Sequence, residues 1–324
     1  MYNWEEVRDA VNSFISRLEF EREPRELYAP IRYTLEQSGK RVRPVLLLMA
    51  YNIYKDKIED ALYPATAIET YHNYTLIHDD VMDRASIRRG KPTVCAKWGD
   101  TAAILSGDTM LVLAYEFLSH VPAEKLPRVL SLFTETAKEI GDGQQYDLDF
   151  ENRDNVTEEE YMEMIRLKTS VLLASALKMG GILADAPESD LQNLYSYGEK
   201  MGLAFQLQDD LLDVYADEAL FGKKIGGDIC CNKKTFLLIK AMNLASHEQL
   251  SQVKEWMEKS EFDAQEKIAF FTGIYNELGV KEACEKRIAE LFEECDSYIE
   301  ALSVPAERKT SLKAFADSLL NRNL

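Results

Sequence analysis

The sequence predicts an all-α protein, and three observations carry that prediction. Glycine and proline are sparse, 15 and 9 among 324 residues, so few positions are set aside for turns. Long stretches rich in Ala, Leu, Glu, Lys and Met, the strong helix formers, repeat their apolar residues with helical spacing. Alternating β-branched runs bounded by turn residues, the signature of strands, are scarce. An apolar fraction of 46% is that of a globular protein. No Gly/Ser/Pro linker, low-complexity run or fixed-period repeat interrupts the chain, so a single domain over residues 1–324 is expected.

In chain order, the first break falls at Gly39 and the second over residues 88–92. Residues 101–118, TAAILSGDTMLVLAYEFL, are apolar nearly all round and read as a buried central helix. A further break is expected at residues 141–143, where two glycines flank an aspartate. Helices are then expected over 161–183 and 191–215, a break over 222–228, and two more helices over 281–302 and 307–320.

The balance of 38 basic and 56 acidic residues leaves a net charge of −18. That field repels a polyanion, so no nucleic-acid partner is expected. The opening MYNWEEVRDA has no basic n-region and no apolar h-region. No apolar run approaches the roughly 20 residues of a membrane span, and the closing SLLNRNL carries no lipidation signal. Five cysteines, at 95, 230, 231, 284 and 295, form no C-x-x-C pair and are odd in number, which suits reduced thiols. A soluble, cytoplasmic protein with no membrane span is the expectation.

Against this background two stretches stand out, LIHDDVMD (76–83) and LQDDLLD (207–213). On a helix, positions four apart share a face. Asp79 and Asp83 therefore stack with Asp80 beside them, and Asp209 and Asp213 do the same with Asp210. Apolar neighbours surround both trios, which is not how a solvated acidic face is written. Carboxylates set among core residues want a cation, and all-oxygen donors without cysteine point to Mg²⁺ or a similar ion rather than zinc. A single DDxxD in an acidic chain is weak evidence. Two of them, 130 residues apart, could line a metal pocket in the core of a bundle.

The basic residues gather beside expected breaks, in GKRVRP (39–44), RRGKP (88–92), GKK (222–224) and NKKT (232–235). No G-x-x-x-x-G-K-[ST] string occurs, so a P-loop is excluded. Each acidic stretch leads into a basic one, an arrangement suited to metal-bound phosphate. Together with HNYTLIHDDVMDRASIRRGKPT (72–93), LSGD (105–108), GDGQQYDLDF (141–150), LKTSVLL (167–173), FQLQDDLLD (205–213) and GKKIGGD (222–228), these strings stand in the order found in the polyprenyl synthetase family. Over residues 39–235 the chain resembles the trans-isoprenyl diphosphate synthases.

The resemblance implies an all-α bundle around a deep central cavity, the isoprenoid synthase fold, working as a homodimer. It implies condensation of isopentenyl diphosphate with an allylic diphosphate and loss of inorganic diphosphate. Asp79, Asp83 and Asp209 match direct ligands of three Mg²⁺ ions, and Asp80, Asp210 and Asp213 match residues that hold bound waters. Lys40, Arg43, His72 and Arg89 match the isopentenyl diphosphate positions. Arg88, Lys168, Lys223 and Lys233 match the allylic diphosphate positions. Thr169 and Gln206 match neutral groups near the developing cation. Gln144 and Asp147 belong to a family string but are expected only to support the acidic helices. His78 is expected to be structural, Lys91, Lys224 and Lys234 to be solvated neighbours, and Cys230 and Cys231 to be inert. Asn232 stands where many members have glycine. The first cluster lacks the two-residue insertion of many bacterial farnesyl-forming members.

Product length in this family is limited by bulk below the first cluster. Tyr74 lies five residues before Asp79, about 7.5 Å along a helix axis, with Tyr71 and Thr75 beside it. An aromatic floor that close implies C15–C20 products. Three other readings remain open: a terpene cyclase or head-to-head enzyme, a non-catalytic partner subunit of a synthase, and a Mg²⁺-binding helical scaffold. A cyclase has no use for a second diphosphate site, a partner subunit is expected to have lost a carboxylate cluster, and a scaffold does not need paired basic sites.

Overall fold

The computed structural model describes residues 1–37, 39–216 and 225–320. Helix α1 (Trp4–Ile15) opens with a capping box: Asn3 accepts from the Glu6 amide, and Glu6 accepts from the Asn3 amide. There follow α2 (Arg25–Leu35), α3 (Val42–Tyr54), a 3₁₀ turn (Ile58–Ala61) and α4 (Leu62–Met82). Two-residue strands β1 (Ile87–Arg88) and β2 (Lys91–Pro92) form an antiparallel hairpin. Thr93 caps α5 (Val94–Trp98), and α6 (Asp100–Leu118) and α7 (Leu126–Glu151) come next. Helix α8 (Glu158–Ile165) has a Thr157–Glu160 capping box and runs through a π turn (Arg166–Ser170) into α9 (Val171–Leu183). Beyond α10 (Glu188–Tyr215) lie α11 (Gly227–Cys230), α12 (Phe236–Leu244), α13 (His247–Glu258), α14 (Ala264–Glu277), α15 (Val280–Glu300) and α16 (Ala306–Leu320).

The chain divides into two compact units, the first of residues 1–134, 175–194 and 303–312, the second of 135–174, 195–302 and 313–324. In the first, α4 packs on α6 and α3, α2 packs on α6, and α1 packs on α3. The α3 run Val45–Leu48 is fully buried, each such side chain contributing roughly 1.5–3 kcal/mol. Gly180 of α9 permits close approach there, since a Cβ would lie 2.2 Å from the Leu47 carbonyl oxygen. In the second unit, α12 and α14 pack on α15, and α11 packs on α14.

Five expectations need correction. The glycines at 141–143 do not break the chain, because α7 runs through both. Gly143 is a close-approach residue: a Cβ would meet the Lys168 amide nitrogen at 2.4 Å. Residues 161–183 are not one regular helix, since the π turn at 166–170 interrupts them. Strands were not expected, yet residues 87–92 form the hairpin. Helix α6 is not buried all round. Its Ala103, Ser106, Gly107, Met110 and Ala114 are buried, while Ile104, Leu105 and Val112 are 45%, 55% and 66% exposed. Among the described residues α6 alone is long and apolar enough to cross a membrane by length and composition, contrary to the expectation that no run approaches that length.

Candidate active site

The first unit gathers cations around one histidine. Helix α4 carries His72 seven residues before Asp79, and Arg43, on the first turn of α3, places its guanidinium Nη1 3.0 Å from His72 Nε2. A guanidinium only donates, so Nε2 accepts and the ring proton sits on Nδ1. Burial, with Arg43, Arg89, Arg88 and Arg41 in turn, holds the imidazole well below its ordinary pKa. In a chain of net charge −18, Arg43 and Arg89 beside a neutral histidine are the feature of this unit that suits an anion, since Arg41 and Arg88 pair with Glu69 and Asp80. Lys40 lies exposed next to it in sequence. The Arg89 guanidinium lies against Gly39, where a Cβ would be 3.3 Å from Nη1. Partial burial, with Arg88 and Arg41, lowers the Arg89 pKa, while Glu69 and Asp80 pull it up.

Arg41 is a different case, and the sequence reading passed over it. Its backbone is left-handed (φ 48°) at the N-cap of α3. Its side chain is buried and fully engaged: Nη1 donates to Glu69 at 2.8 Å, Nε to Asn12 at 3.0 Å, and Nη2 to the Leu35 carbonyl. Asn73 adds a 3.2 Å bond to Glu69. Arg41 thus fixes the turn from which Lys40 and Arg43 project.

At the C-terminal end of α4, Asp80 is buried and accepts from Arg88 Nε at 2.8 Å. Desolvation raises the Asp80 pKa, and Arg88 opposes it. Asp79 is partly buried and Asp83, the C-cap of α4, is exposed. A small cleft is lined by Asn73, Asp80, Arg88 and Arg89. Tyr74 and Tyr71 lie one to two turns back, their rings 5.4 Å apart, and Tyr71 also meets Phe133 at 5.2 Å. The Thr75 hydroxyl donates to the His72 carbonyl at 2.8 Å. His78 packs into α6, with Nε2 3.3 Å from the Ile104 carbonyl oxygen, and Gly107 leaves the room for it.

In the second unit the π turn is the organising feature. A π turn inserts one extra residue into a helix, often at a functional site. Here it carries Lys168 and Thr169 between two glycine contacts, Gly143 of α7 and Gly202 of α10; a Cβ on Gly202 would lie 2.6 Å from Ser170 Cα. One helical turn beyond each glycine stands the polar partner. Asp147 accepts from Lys168 Nζ at 2.6 Å, and Gln206 Oε1 accepts from the Thr169 hydroxyl at 3.2 Å. We expect Gly143→Ala to lower stability by about 1–3 kcal/mol through this backbone clash, overriding the roughly 1 kcal/mol that alanine contributes to helix propensity. The urea midpoint measures it; an unchanged or raised midpoint contradicts the close-approach account.

Gln206 Nε2 also donates to Asp210 at 3.2 Å, and the buried Tyr161 hydroxyl donates to the other Asp210 oxygen. Burial pushes the Asp210 pKa up to about 7, with Asp228 adding to it against the Tyr161 bond. Burial and Asp228 raise Asp213 to about 6. The Asp228 amide donates to Asp213 at 3.1 Å, and Lys233 Nζ lies 3.8 Å from Asp228. Asp209 is half-buried on the same helix. Asp228 and Tyr161 had been assigned no part. Asp228 stood within GKKIGGD, whereas nothing local marks Tyr161. Lys223 and Lys224 lie outside the described residues.

Among the described residues no three His, Cys, Asp or Glu side chains converge into a ready-made metal cage. The donor set nevertheless fits a hard cation. Asp210 and Asp213 carry charge that burial and a neighbouring carboxylate disfavour, which a divalent ion would relieve. Mg²⁺ is characteristically held by one or two carboxylates together with substrate phosphates rather than by an all-protein cage.

Comparison with known proteins places this arrangement. A geranylgeranyl diphosphate synthase of Methanosarcina mazei is 44% identical over 220 residues, 67% of this chain and 68% of that protein. The crystal structure of a geranylgeranyl pyrophosphate synthetase from Pyrococcus horikoshii is 33% identical, with a TM-score of 0.92 over 99% of this chain and 98% of that one. A Corynebacterium glutamicum geranylgeranyl pyrophosphate synthase, solved with isoprenyl diphosphate and magnesium, is 29% identical, with a TM-score of 0.88 over 99% of this chain and 98% of that one. The fold is therefore the all-α isoprenoid synthase fold. The polyprenyl synthetase family model matches residues 24–274, a span that takes in both aspartate clusters, the arginine-ringed histidine and the π turn, and the chain belongs to that family.

Proposed function

We propose that this protein is a short-chain trans-prenyltransferase that joins isopentenyl diphosphate head-to-tail to an allylic diphosphate, releasing inorganic diphosphate and giving C15–C20 prenyl diphosphate. The observation that carries this reading is Arg43 bonded to a neutral His72 with Arg89 near it, which supports a second diphosphate site beside the one the carboxylates serve. An enzyme that only ionises one diphosphate has no use for it, which argues against a cyclase. Both carboxylate clusters are intact, which argues against a non-catalytic subunit.

In this reading Lys40, Arg43, His72 and Arg89 hold isopentenyl diphosphate. Arg88, Lys168, Lys223 and Lys233 hold the allylic diphosphate, two separate sets keeping two like-charged substrates in place at once. Asp79, Asp83 and Asp209 are the metal ligands, and Asp80, Asp210 and Asp213 order water. Three Mg²⁺ ions, when bound, stabilise the charge that grows on the leaving diphosphate as the allylic C–O bond breaks. Thr169 and Gln206, bonded to each other, offer neutral dipoles to the allylic cation without capturing it. The alkene of isopentenyl diphosphate then forms the new C–C bond, and the departing diphosphate takes the proton that restores the double bond. The family model covers residues of both units, which supports one domain over residues 1–324. The exposed apolar side chains Ile104, Leu105 and Val112 on α6 support a homodimer. A soluble cytoplasmic location belongs to the same proposal.

Similarity to enzymes named geranylgeranyl synthases favours C20 as the main product. The test is incubation with isopentenyl diphosphate, Mg²⁺ and dimethylallyl, geranyl or farnesyl diphosphate, with products read by mass spectrometry. Wild type is expected to stop at C15–C20, and Tyr74→Ala to run one or more C5 units further. Unchanged product length in the variant removes the floor assignment, and no condensation from any primer removes the proposal.

A further inference from the structure

Lys267, on the first turn of α14, has no exposed surface. A lysine is almost never fully buried unless it is paired with an opposite charge, yet among the described residues Lys267 ion-pairs with no carboxylate. Its ammonium donates to Asn232 Oδ1 at 2.7 Å and to the Cys230 carbonyl at 3.3 Å, and lies 4.1 Å from the centre of the Phe262 ring. Burial lowers its pKa, with the Cys230 and Cys231 thiols pulling the other way. So costly a placement needs an explanation, and its two oxygen partners supply one. Both belong to the turn that delivers Lys233.

That turn is unusual in its own right. Asn232 is left-handed (φ 55°), a conformation that glycine takes freely and other L-residues resist, asparagine less than most. The Asn232 amide bonds back to the Ile229 carbonyl at 3.1 Å, and the Lys233 amide to the Asp228 carbonyl at 2.9 Å. Asn232 Nδ2 donates to the Met257 carbonyl at 2.9 Å. The side chain of Asn232 is therefore held at both ends, by the last turn of α13 and by Lys267. By the family resemblance, many members carry glycine at this position.

We infer that Lys267 and Asn232 form a buried clamp that stands in for glycine and fixes the turn presenting Lys233 to the allylic diphosphate. Lys267 is a positioning residue: it acts through Asn232 and touches no substrate. The inference rests on the assignment of Lys233 made above. A clamp of this kind acts on one substrate only, because the isopentenyl diphosphate residues lie elsewhere in the chain.

The experiment compares KM for each diphosphate in Lys267→Met, Asn232→Gly, their double variant and Lys233→Ala. Lys267→Met is expected to raise the allylic KM about tenfold, equivalent to about 1.4 kcal/mol, with the isopentenyl KM within about twofold. Asn232→Gly is expected to stay near wild type, and the double variant to recover most of the loss, because glycine needs no clamp. Should Lys267→Met fail to fold, Asn232→Ala severs the same bond from the other side and is expected to show the same one-sided KM change. Equal rises in both KM values, no relief by glycine, or loss of folding in both clamp variants that glycine does not restore overturns the inference. An unchanged allylic KM in Lys233→Ala would instead remove the assignment of Lys233 itself.

Discussion

Asp79→Asn is expected to lower kcat/KM by about 10³-fold while leaving the helical circular dichroism and the urea midpoint near wild type. Losing one group that stabilises developing charge costs 10²–10³ in turnover in well-studied sites, and a metal ligand supports a larger charge than a single hydrogen-bond donor. Asp79 is partly buried on the last turn of α4, one residue before an aspartate already committed to Arg88, so Asp80 cannot take over its role without releasing that arginine. Asp209→Asn is expected to fall as far. Asp154→Asn, an acidic change away from both clusters in sequence, is expected to stay within about twofold, which separates ligation from loss of general negative charge. Steady-state rates at saturating Mg²⁺ decide it. Full activity in Asp79→Asn contradicts the metal assignment.

Arg41→Ala is expected to have the largest effect on stability, a loss of about 3–5 kcal/mol. The Arg41 and Glu69 side chains are 3% and 4% exposed, so deleting the cation strands a buried carboxylate with the neutral Asn73 amide as a side-chain partner. The same change frees Asn12 and the Leu35 carbonyl, which reach α1 and the end of α2. A folded domain has only about 5–15 kcal/mol in hand, so the variant is expected to unfold at markedly lower urea. Arg41→Lys is expected to recover only part of the loss, because an ammonium cannot reproduce a fork that meets three partners. Urea unfolding with an unchanged slope measures the difference. An unfolding free energy within about 0.3 kcal/mol of wild type shows that the pair is not the keystone of the turn.

Much of this architecture was legible in the sequence, and the failures have physical causes. Helices α10 and α15 are amphipathic or apolar over many turns, so their existence and their ends came out within a few residues. Gly143 misled because a glycine that admits a neighbouring backbone and a glycine that ends a helix look alike in one dimension. The π turn was invisible for a related reason: one inserted residue scarcely disturbs the apolar rhythm of residues 161–183, although it turns Lys168 and Thr169 toward Asp147 and Gln206. Helix α6 is apolar on both faces, and composition alone cannot say that only one of them is covered within the chain. At the site, the aspartates stood out because carboxylates among apolar residues are costly unless used, whereas Arg43, His72, Arg88, Arg89 and Lys168 were named as site residues only through the family resemblance. Arg41 was not, since a string such as GKRVRP does not say which arginine is spent on a buried glutamate. Tyr161 reaches Asp210 from 49 residues away, a contact only the fold creates.

In the proposed reaction two diphosphates react together and one of them leaves. The most direct measurement is the initial rate of inorganic diphosphate release with Mg²⁺ and an allylic diphosphate alone, isopentenyl diphosphate alone, or both. The account predicts release only with both substrates, one diphosphate for each isopentenyl diphosphate consumed. Release from the allylic substrate alone at a comparable rate, or none from the pair, would contradict it.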